Sequence, residues 1–452
     1  MTRFVHPYLA IACVAVAALA PASARAQHDR GITSGLSVGA SAIGVVTRAA
    51  PALFGRDYTE GYLTQPVVMA RVQPWSGPLS LRATLDFEGL TLRRGELTPG
   101  AYGEGYVDRR HPHTYAHELL AELAGSVGAV HGSVSAGKGF APFGTDDPMV
   151  RPIEKYPVNH HLSQLLERAV VVGAVRAGPL TAELGTFNGD EPISPSGWPN
   201  WSRFGDSWAG RLTVRPMPDV ELEGSHAAVA SPELRLGGGL DQRKWSTAAR
   251  FSRGAPYASH RYLLAEWSAT DELSAGQRAR RLTSELAEGA VTVRTWELGG
   301  RIERTVRPEE ERLLDPFRTV QPATDASVIG LTRWTVAAVN VSRPVGRLLG
   351  VRATPFAELT RSHAAEVRRP SGFEPAPFYG SATQWGLSVG LRLDAGMRHA
   401  RMGRYGVADD MHDMHDMHDM HDMHDMHDMH DMHDMHDMHD MHDMHDMHDM
   451  RQ

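Results

Sequence analysis

Apolar and polar residues alternate with a period of two along much of this chain. The alternation is clear over residues 79–88, 207–215, 351–360 and 385–394. Such a pattern puts one class of residue on each face of a β-strand. Runs of about ten residues suit tilted strands that cross a bilayer, whereas strands of soluble sandwiches are usually about 5–6 residues long. The pattern therefore predicts an all-β fold, a transmembrane antiparallel β-barrel.

The connections between the alternating segments are of two kinds. Short ones lie at Gln73–Pro78, Val130–Ser133, Arg176–Pro179, Arg215–Asp219, Arg253–Ser259, Arg294–Trp296 and Arg343–Gly350, and long polar ones near 49–63, 91–113, 141–160, 189–206, 231–241, 271–283, 307–327 and 363–381. Short turns at one end and long loops at the other are typical of outer-membrane barrels. Seven short and eight long connections predict about 16 strands, with 14–18 allowed, and both ends in the periplasm. One segment, Glu118–Leu123, also fits a helix.

The N-terminus is typical of an exported protein. Arg3 gives a basic start, residues 9–20 are apolar throughout, and Pro21 ends this run before Ala24-Arg25-Ala26. Small residues at that spacing suit a signal peptidase. Twelve apolar residues are too few for a membrane-spanning helix, which needs about 20. We expect a cleaved signal peptide at 1–26, an outer-membrane β-barrel at 27–408 and a tail at 409–452.

Composition narrows the chemistry of the mature chain. Cys13 is the only cysteine, so cleavage removes any disulfide, thiolate zinc site or cysteine nucleophile. The net charge of −8 has two parts. From Asp409 on, 15 Asp stand against Arg451 and give −14, so the other 408 residues carry +6. An acidic tail thus follows a mildly basic body, and nothing in this distribution points to a nucleic-acid partner.

No motif of a common enzyme class is present. The sequence has no Gly-x-Ser-x-Gly elbow and no phosphate-binding glycine loop, and His117-Glu118 is followed by Ala121 where a zinc protease needs histidine. We therefore expect a protein that is not an enzyme and requires no cofactor. His111, His113 and His117 offer a metal site in a predicted external loop, but solvated loop histidines are the more common arrangement. His160-His161 is a weaker candidate.

The polar faces of the strands predict the surface of a lumen. Its basic residues are Arg82, Arg211, Arg215, Lys244, Arg250, Arg301, Arg352 and Arg392, and its acidic residues are Asp86, Glu88, Glu183, Glu221, Glu223, Glu266, Glu297, Glu303, Glu358 and Asp394. Ion selectivity needs an excess of one sign where a pore is narrow. Eight basic against ten acidic groups therefore predict weak selectivity and argue against a dedicated phosphate channel.

A Gly-Lys-Gly-Phe-Ala-Pro-Phe-Gly stretch at residues 137–144 leads into one of the long loops. With export, a cysteine-free mature chain and alternating strands, the protein resembles bacterial outer-membrane porins, the broad group that includes the phosphate-selective porins. The resemblance covers most of residues 30–405. It implies a passive channel in which the loop after the fifth strand folds inward and narrows the pore. We expect that loop to be Ala141–His160, with a constriction formed by Asp146, Asp147, Arg151, Glu154 and Lys155.

One feature departs from the porin pattern. The closing strand of such barrels usually ends the chain on an aromatic residue. Here Leu393 is followed by residues 394–408, which allow a strand end at Tyr405, and then by the tail. Recognition by the assembly machinery is therefore in question.

The tail is a repeat of the triplet Met-His-Asp from Met411 to Met450, with 13 His, 14 Met and 13 Asp. A segment of this composition cannot form a core, so we expect it to be disordered. Imidazole suits copper, nickel and zinc, and thioether selects copper(I). The predicted ligands are Met411, His412, Asp413, His415, His418, His421, His424, His427, His430, His433, His436, His439, His442, His445 and His448. Expansion of the repeat by replication slippage explains its existence equally well.

Two functions remain open. The first is a porin-like channel in outer-membrane lipid for passive passage of small polar solutes. The second is an outer-membrane or periplasmic metal-handling protein, similar to copper-resistance proteins, in which the tail is the active part. An open lumen favours the first and a plugged lumen favours the second. The sequence leaves open the solute, the pore width, the physiological metal and whether the barrel forms a homotrimer.

Overall fold

The structure is a computed structural model that describes residues 35–50, 57–75, 77–92, 113–310, 328–367, 374–396 and 401–409. The chain divides into two units, Met1–Ala408 and Asp409–Gln452. The predicted signal peptide lies outside the described residues, as does almost all of the second unit.

The first unit is built from antiparallel strands, each paired with its neighbours in the chain. They are β1 (Gly35–Ala50), β2 (Tyr58–Gln73), β3 (Leu79–Asp86), β4 (Ala116–Val127), β5 (Val130–Gly139), β6 (Arg168–Ala177), β7 (Leu180–Phe187), β8 (Ser207–Met217), β9 (Val220–Val229), β10 (Asp241–Arg253), β11 (Arg261–Ser274), β12 (Gln277–Val293), β13 (Trp296–Glu310), β14 (Val328–Ser342), β15 (Gly346–Leu348), β16 (Val351–Glu366) and β17 (Thr383–Gly396). Short helices lie at Glu88–Thr91, His160–Ser163 and Pro375–Tyr379.

The sheet closes on itself, because β1 pairs antiparallel with β17 from Gly39↔Gly396 to Ala50↔Trp385. The segments β14 and β15 both pair with β16 and together form one strand of the barrel. The break between them contains Pro344 and faces Pro355 of β16, so neither proline can donate a ladder hydrogen bond there. The result is a closed barrel of 16 strands, which confirms the predicted fold class.

The two ends of the barrel differ as predicted. We call them the long-loop end and the short-turn end; strands β1 and β17 begin and finish, respectively, at the short-turn end. Two predicted connections were wrong. The turn between β4 and β5 is Gly128–Ala129 rather than Val130–Ser133, and β11 meets β12 through Ala275–Gly276 rather than a long loop at 271–283. Both residues of the latter turn have positive φ, as a two-residue type I′ hairpin requires.

The faces of the strands also follow the predicted alternation. Leu81, Leu212, Leu387 and Val389 are 42 to 57 % exposed, while their polar neighbours Arg82, Arg211 and Ser388 are buried. A soluble barrel would hide its apolar face, so this arrangement fits an outer surface in contact with lipid. Trp208 and Trp385 lie on that surface near the long-loop end, but Trp267 lies in the middle of β11.

The helical alternative for Glu118–Leu123 was wrong, because these residues lie in β4 and pair with β5. In the part of the chain that the structure describes, no helix has the length and apolar character to cross a membrane.

Candidate functional site

The charged residues predicted to line a lumen lie on the inner face of the barrel. All eight basic and ten acidic wall residues are buried or half-buried, among them Arg82, Glu183 and Arg301. They alternate with exposed apolar residues, since successive side chains of a strand point to opposite faces. Many of them pair with each other: Arg211 forms a two-pronged ion pair with Glu183, with both N–O distances 2.7 Å. Their role in lining a pore stays a prediction.

The connection from β5 to β6 folds into the barrel, and we call residues 140–167 the inward loop. Nearly all of its described side chains are buried. It bonds to strands on widely separated parts of the wall. Asn159 donates to Glu266 of β11 over 2.7 Å, and the Val158 amide donates to Glu303 of β13 over 2.9 Å. The loop therefore crosses the lumen, as the porin resemblance implies.

Local chemistry fixes the path of this loop. Gly144 has φ +68°, and a Cβ there would lie 1.7 Å from the Ser163 carbonyl oxygen, so only glycine fits. Asp147 accepts a hydrogen bond from the Met149 amide and begins the 3-10 helix Pro148–Val150. His160 lies 3.4 Å from Asp147 and lowers the pKa of that carboxyl to about 2, although burial opposes ionisation.

The five residues predicted to form a constriction are all buried within the lumen, at no more than 6 % exposure. Arg151 lies 3.6 Å from Glu266 and 3.7 Å from Glu288. Asn340 donates to Glu154 over 2.6 Å, and Lys155 donates to Ser388 of β17 over 3.3 Å. Burial raises the pKa of Glu154 to about 7, although the charge of Arg392 opposes this shift.

A second segment inside the lumen was not predicted. Strand β17 ends at Gly396, so the expected strand end at Tyr405 was wrong. Residues 401–408, which we call the C-terminal lumen segment, are all buried. The Tyr405 hydroxyl donates to Glu118 over 2.9 Å and accepts from the Phe140 amide over 2.8 Å. Glycine makes room for this ring, because a Cβ on Gly139 would lie 2.5 Å from the Tyr405 hydroxyl.

Arginines hold the C-terminal lumen segment against the wall and the inward loop. Arg404 contacts Glu221 at 3.2 Å, pairs with Glu223 and lies 3.1 Å from Asp146 of the inward loop. Arg401 lies 2.9 Å from Glu221 and 2.6 Å from Asp146. Burial opposes ionisation of Asp146, but Arg401 and its neighbouring arginines hold the pKa of that carboxyl well below its usual range. Asp146 is thus shared by loop and segment.

A signal for this segment was present in the sequence. Residues 401–408 contain two arginines and two glycines, Gly403 and Gly406, and do not continue the alternation of β17. Gly406 has φ +55°, and a Cβ there would lie 2.1 Å from the Ser133 hydroxyl. Such a glycine-interrupted stretch does not suit a barrel strand.

A cavity of about 360 Å³ remains between the two inserted segments and the wall. The charged residues that line it are Asp146, Arg151, Glu221, Glu223, Arg250, Glu297, Arg352, Arg392, Asp394, Arg401 and Arg404. Tyr257 and His260, from the turn region between β10 and β11, line it near the short-turn end. The lining carries both signs side by side, so it can hold polar solutes without a strong preference for one charge.

The interpretation of His113 and His117 as solvated loop histidines was wrong. Both are buried at the long-loop end, with ring centroids 5.1 Å apart, and His117 belongs to β4. His160, the weaker candidate, is buried beside them. Two predicted wall carboxylates, Asp86 and Glu88, contact His113. His111 lies outside the described residues, and so do all the predicted metal ligands of the tail from Met411 to His448.

Comparison with solved structures finds, among others, three bacterial proteins at low similarity. An anion-selective porin from Comamonas acidovorans has a TM-score of 0.47 and 10 % identity, covering 80 % of this chain and 100 % of the porin. OmpF of Salmonella typhi has a TM-score of 0.44 and 8 % identity, covering 79 % and 98 %. OpdO of Pseudomonas aeruginosa has a TM-score of 0.37 and 10 % identity, covering 80 % and 97 %.

No family model matches the chain, and no curated protein is significantly similar to it. Structural likeness at these scores adds no argument about function. The barrel architecture therefore rests on the strand pairing of this chain itself.

Proposed function

We propose that the protein is an outer-membrane porin-like channel for passive passage of small polar solutes. The observation that carries this proposal is the closed barrel of 16 strands with an apolar outer face and a charged lumen. An apolar band on the outside requires lipid, and a charged interior requires water or charged partners.

The path for solutes is narrow in this proposal. The inward loop and the C-terminal lumen segment both occupy the lumen, and the cavity beside them measures about 360 Å³. Such a space suits ions and small polar molecules rather than large solutes. Since acidic and basic groups alternate around it, we expect weak ion selectivity.

Conductance of the purified full-length protein in a planar lipid bilayer tests the channel. We expect discrete current steps and a reversal potential close to zero under a salt gradient. Absence of any conductance, together with folding of the protein in detergent, would refute a pore in this state. A permeability strongly biased to anions, or saturable block by phosphate, would contradict the balanced lumen.

The filled lumen is the observation that favours a second function, metal handling. A lumen filled by protein segments leaves less room for solutes, which favours a function carried by the tail. The proposed ligands are the imidazoles and thioethers of residues 411–450, which suit copper, nickel or zinc. The proposed location of the tail is the periplasm. The reason is that β17 ends at the short-turn end of the barrel, and short turns of outer-membrane barrels are periplasmic.

Calorimetry on a synthetic peptide covering Asp409–Gln452 tests this second function with copper(I), copper(II), nickel and zinc. Only neutral imidazole coordinates metal, so several ions should bind above about pH 7 and few near pH 5. Deleting the tail in cells then separates the two functions. Unchanged metal tolerance leaves the channel as the function of the protein.

A further inference from the structure

We propose that Asp86, Glu88 and His113 form a binding site for a divalent transition-metal ion at the long-loop end of the barrel. The site is separate from the Met-His-Asp tail and goes beyond the channel function. Its ligand set, two carboxylates and one imidazole, suits zinc(II), and manganese(II) or iron(II) have overlapping preferences.

The three ligand atoms already converge. His113 Nδ1 lies 2.7 Å from Glu88 Oε2 and 3.3 Å from Asp86 Oδ2. One ligand atom from each of the three residues lies within 4.8 Å of the others, and all three residues are buried. Zinc holds nitrogen and oxygen ligands at about 2.0–2.2 Å, which places neighbouring ligand atoms of a tetrahedral site roughly 3.3–3.6 Å apart. The distance from His113 Nδ1 to Asp86 Oδ2 already has this value, and His113 and Glu88 must move apart by about half an ångström or more to admit an ion.

Neighbouring groups orient both carboxylates toward this point. Asp86 is the last residue of β3, and its Oδ1 accepts the Glu88 amide over 2.8 Å. Glu88 Oε1 accepts from the Thr64 hydroxyl over 2.8 Å and from the Gln65 amide over 2.7 Å. These bonds leave Glu88 Oε2 directed at His113. Hydrogen bonds of this kind around ligands fix their geometry and tune metal affinity.

Asp86 Oδ2 has a poor partner. It is fully buried, and within the described part of the chain its near donor is His113 Nδ1 at 3.3 Å, an atom that lies closer to Glu88 Oε2, at 2.7 Å. One imidazole nitrogen thus serves two buried carboxylate oxygens, and a buried carboxylate oxygen without a well-placed donor is costly. A metal ion at the centre of the three atoms supplies the missing partner.

The charge around the site points to a cation as well. Within the described ranges, the only side chain that forms an ion pair with Asp86 or Glu88 is His113. His117 and His160 stand next, with ring centroids 5.1 and 5.7 Å from that of His113. His117 and His160 face their own carboxylates, Glu167 at 2.8 Å and Asp147 at 3.4 Å. Two adjacent carboxylates thus share a single imidazole.

A proton is the competitor of the metal. Protonated His113 balances the two carboxylates when no ion is bound, and metal must displace that proton because only neutral imidazole coordinates. One proton therefore leaves for each ion bound through His113. Affinity should fall as the pH is lowered.

Anomalous diffraction gives the site-specific test, because the tail is proposed to bind zinc too. Crystals of the full-length protein soaked in zinc chloride, measured at the zinc absorption edge, should show a peak about 2.0–2.2 Å from Asp86 Oδ2, Glu88 Oε2 and His113 Nδ1. A map with no peak there after soaking at pH 8 overturns the proposal, whatever is bound elsewhere.

Thermal unfolding supplies an independent readout and a matched control. Zinc should raise the Tm of the wild-type protein by binding its folded form, and the rise should be lost in His113→Gln and in Glu88→Gln. Affinity at this site should fall at least roughly tenfold in each. His131→Gln is the control, since His131 lies at the opposite end of the barrel on β5. An equal rise in all four proteins shows that His113 holds only a proton. Conductance of His113→Gln should match that of the wild-type protein, because His113 is not among the residues predicted to line the lumen. A lost zinc effect in this variant is therefore distinguishable from a failed channel proposal.

Discussion

The two segments inside the barrel are held in different ways. The inward loop is tethered at both ends, because β5 precedes it and β6 follows it. The C-terminal lumen segment follows β17, and no strand of the described chain follows it. The loop contacts wall residues from β2 to β17, such as Gln65 and Ser388. The segment contacts one side of the wall, from Glu118 of β4 to Glu223 of β9.

The chemistry of the contacts differs too. Many bonds of the loop to the wall involve its own backbone: the Gly144 and Val158 amides donate to side chains of the wall, and the Glu154 carbonyl accepts from Gln65. The segment has two such backbone bonds, from the Val407 amide to Ser133 and from Arg211 to the Gly403 carbonyl, and adds the ion pairs of Arg401 and Arg404. A chain tethered twice and bonded through its backbone cannot leave without unfolding. A chain tethered once and held by ion pairs can be released by a few substitutions, so the two segments should contribute differently to passage.

Removing the segment should have the largest effect on conductance. We compare two truncations of the full chain, one lacking residues 409–452 and one lacking 401–452. The first keeps the C-terminal lumen segment and should conduct like the full-length protein. The second should conduct more, by roughly twofold or beyond, since the lumen beside β4–β9 is emptied. Single-channel recording measures both, and Arg401→Ala with Arg404→Ala in the full chain checks the second.

Equal conductance of the two truncations would mean that the segment does not obstruct the path. If both conduct equally and more than the full-length protein, the obstruction belongs to residues 409–452 instead. Either result breaks the distinction drawn between the two inserted segments.

Both inserted segments lie within the barrel wall, and the contact of its outer face with lipid can be tested by substitution. Leu387 lies in the first half of β17, two residues beyond Trp385, and is 51 % exposed. If this position is near the midplane of the bilayer, its replacement by arginine should lower the free energy of unfolding in lipid by about 2–4 kcal/mol, because the charge would face hydrocarbon. Leu348→Arg, beside a short turn, is the control and should cost about 0–1 kcal/mol. Chemical unfolding in liposomes measures both, and equal costs would argue against a lipid-facing wall.

Asp146 joins the inward loop to the C-terminal lumen segment. Its loss should weaken the attachment of the C-terminal lumen segment and leave the inward loop in place. Asp146→Asn leaves Arg250, Arg401 and Arg404 with one acidic partner fewer. We expect a shift of the reversal potential toward anions and a smaller gain in conductance than from truncation. Asp219→Asn is the matched control, because Asp219 pairs with Arg253 on an exposed turn. Unchanged selectivity in Asp146→Asn would show that ions pass elsewhere.

Glu154 should give the smallest effect, a pH dependence of selectivity. Its pKa of about 7 means that the carboxyl is mostly neutral at pH 6 and mostly charged at pH 8. Cation preference should therefore rise across that window, and the rise should be smaller in Glu154→Gln. Because the pKa is raised on folding, the stabilising effect of the neutral form is complete below about pH 4.5 and is lost as the pH rises through about 7.

The control for that experiment is Asp57→Asn, at a half-exposed side chain paired with Arg48. It should keep the pH dependence of the wild-type protein. If Glu154→Gln keeps it as well, another group in the lumen titrates in this range.

The repeating alternation of residues determined the barrel. The period of two places Leu387 and Ser388 on opposite faces, and the apolar character of leucine assigns it to the outer face. Strand number also followed from the sequence, since polar connections interrupt the alternation. Errors arose where a connection has few residues, as at Ala275–Gly276, because a two-residue turn leaves little mark on the pattern.

What fills the barrel was decided by tertiary structure. The pairing of Arg404 with Glu223 joins residues 181 positions apart, and that of Tyr405 with Glu118 joins residues 287 apart. Periodicity reports which face a residue lies on, but not which distant group meets it there. The buried cluster around His113 depends in the same way on β3, β4 and the inward loop meeting at one end. Closure of the sheet creates an enclosed lumen. Only the packing of segments from elsewhere in the chain determines what occupies that lumen.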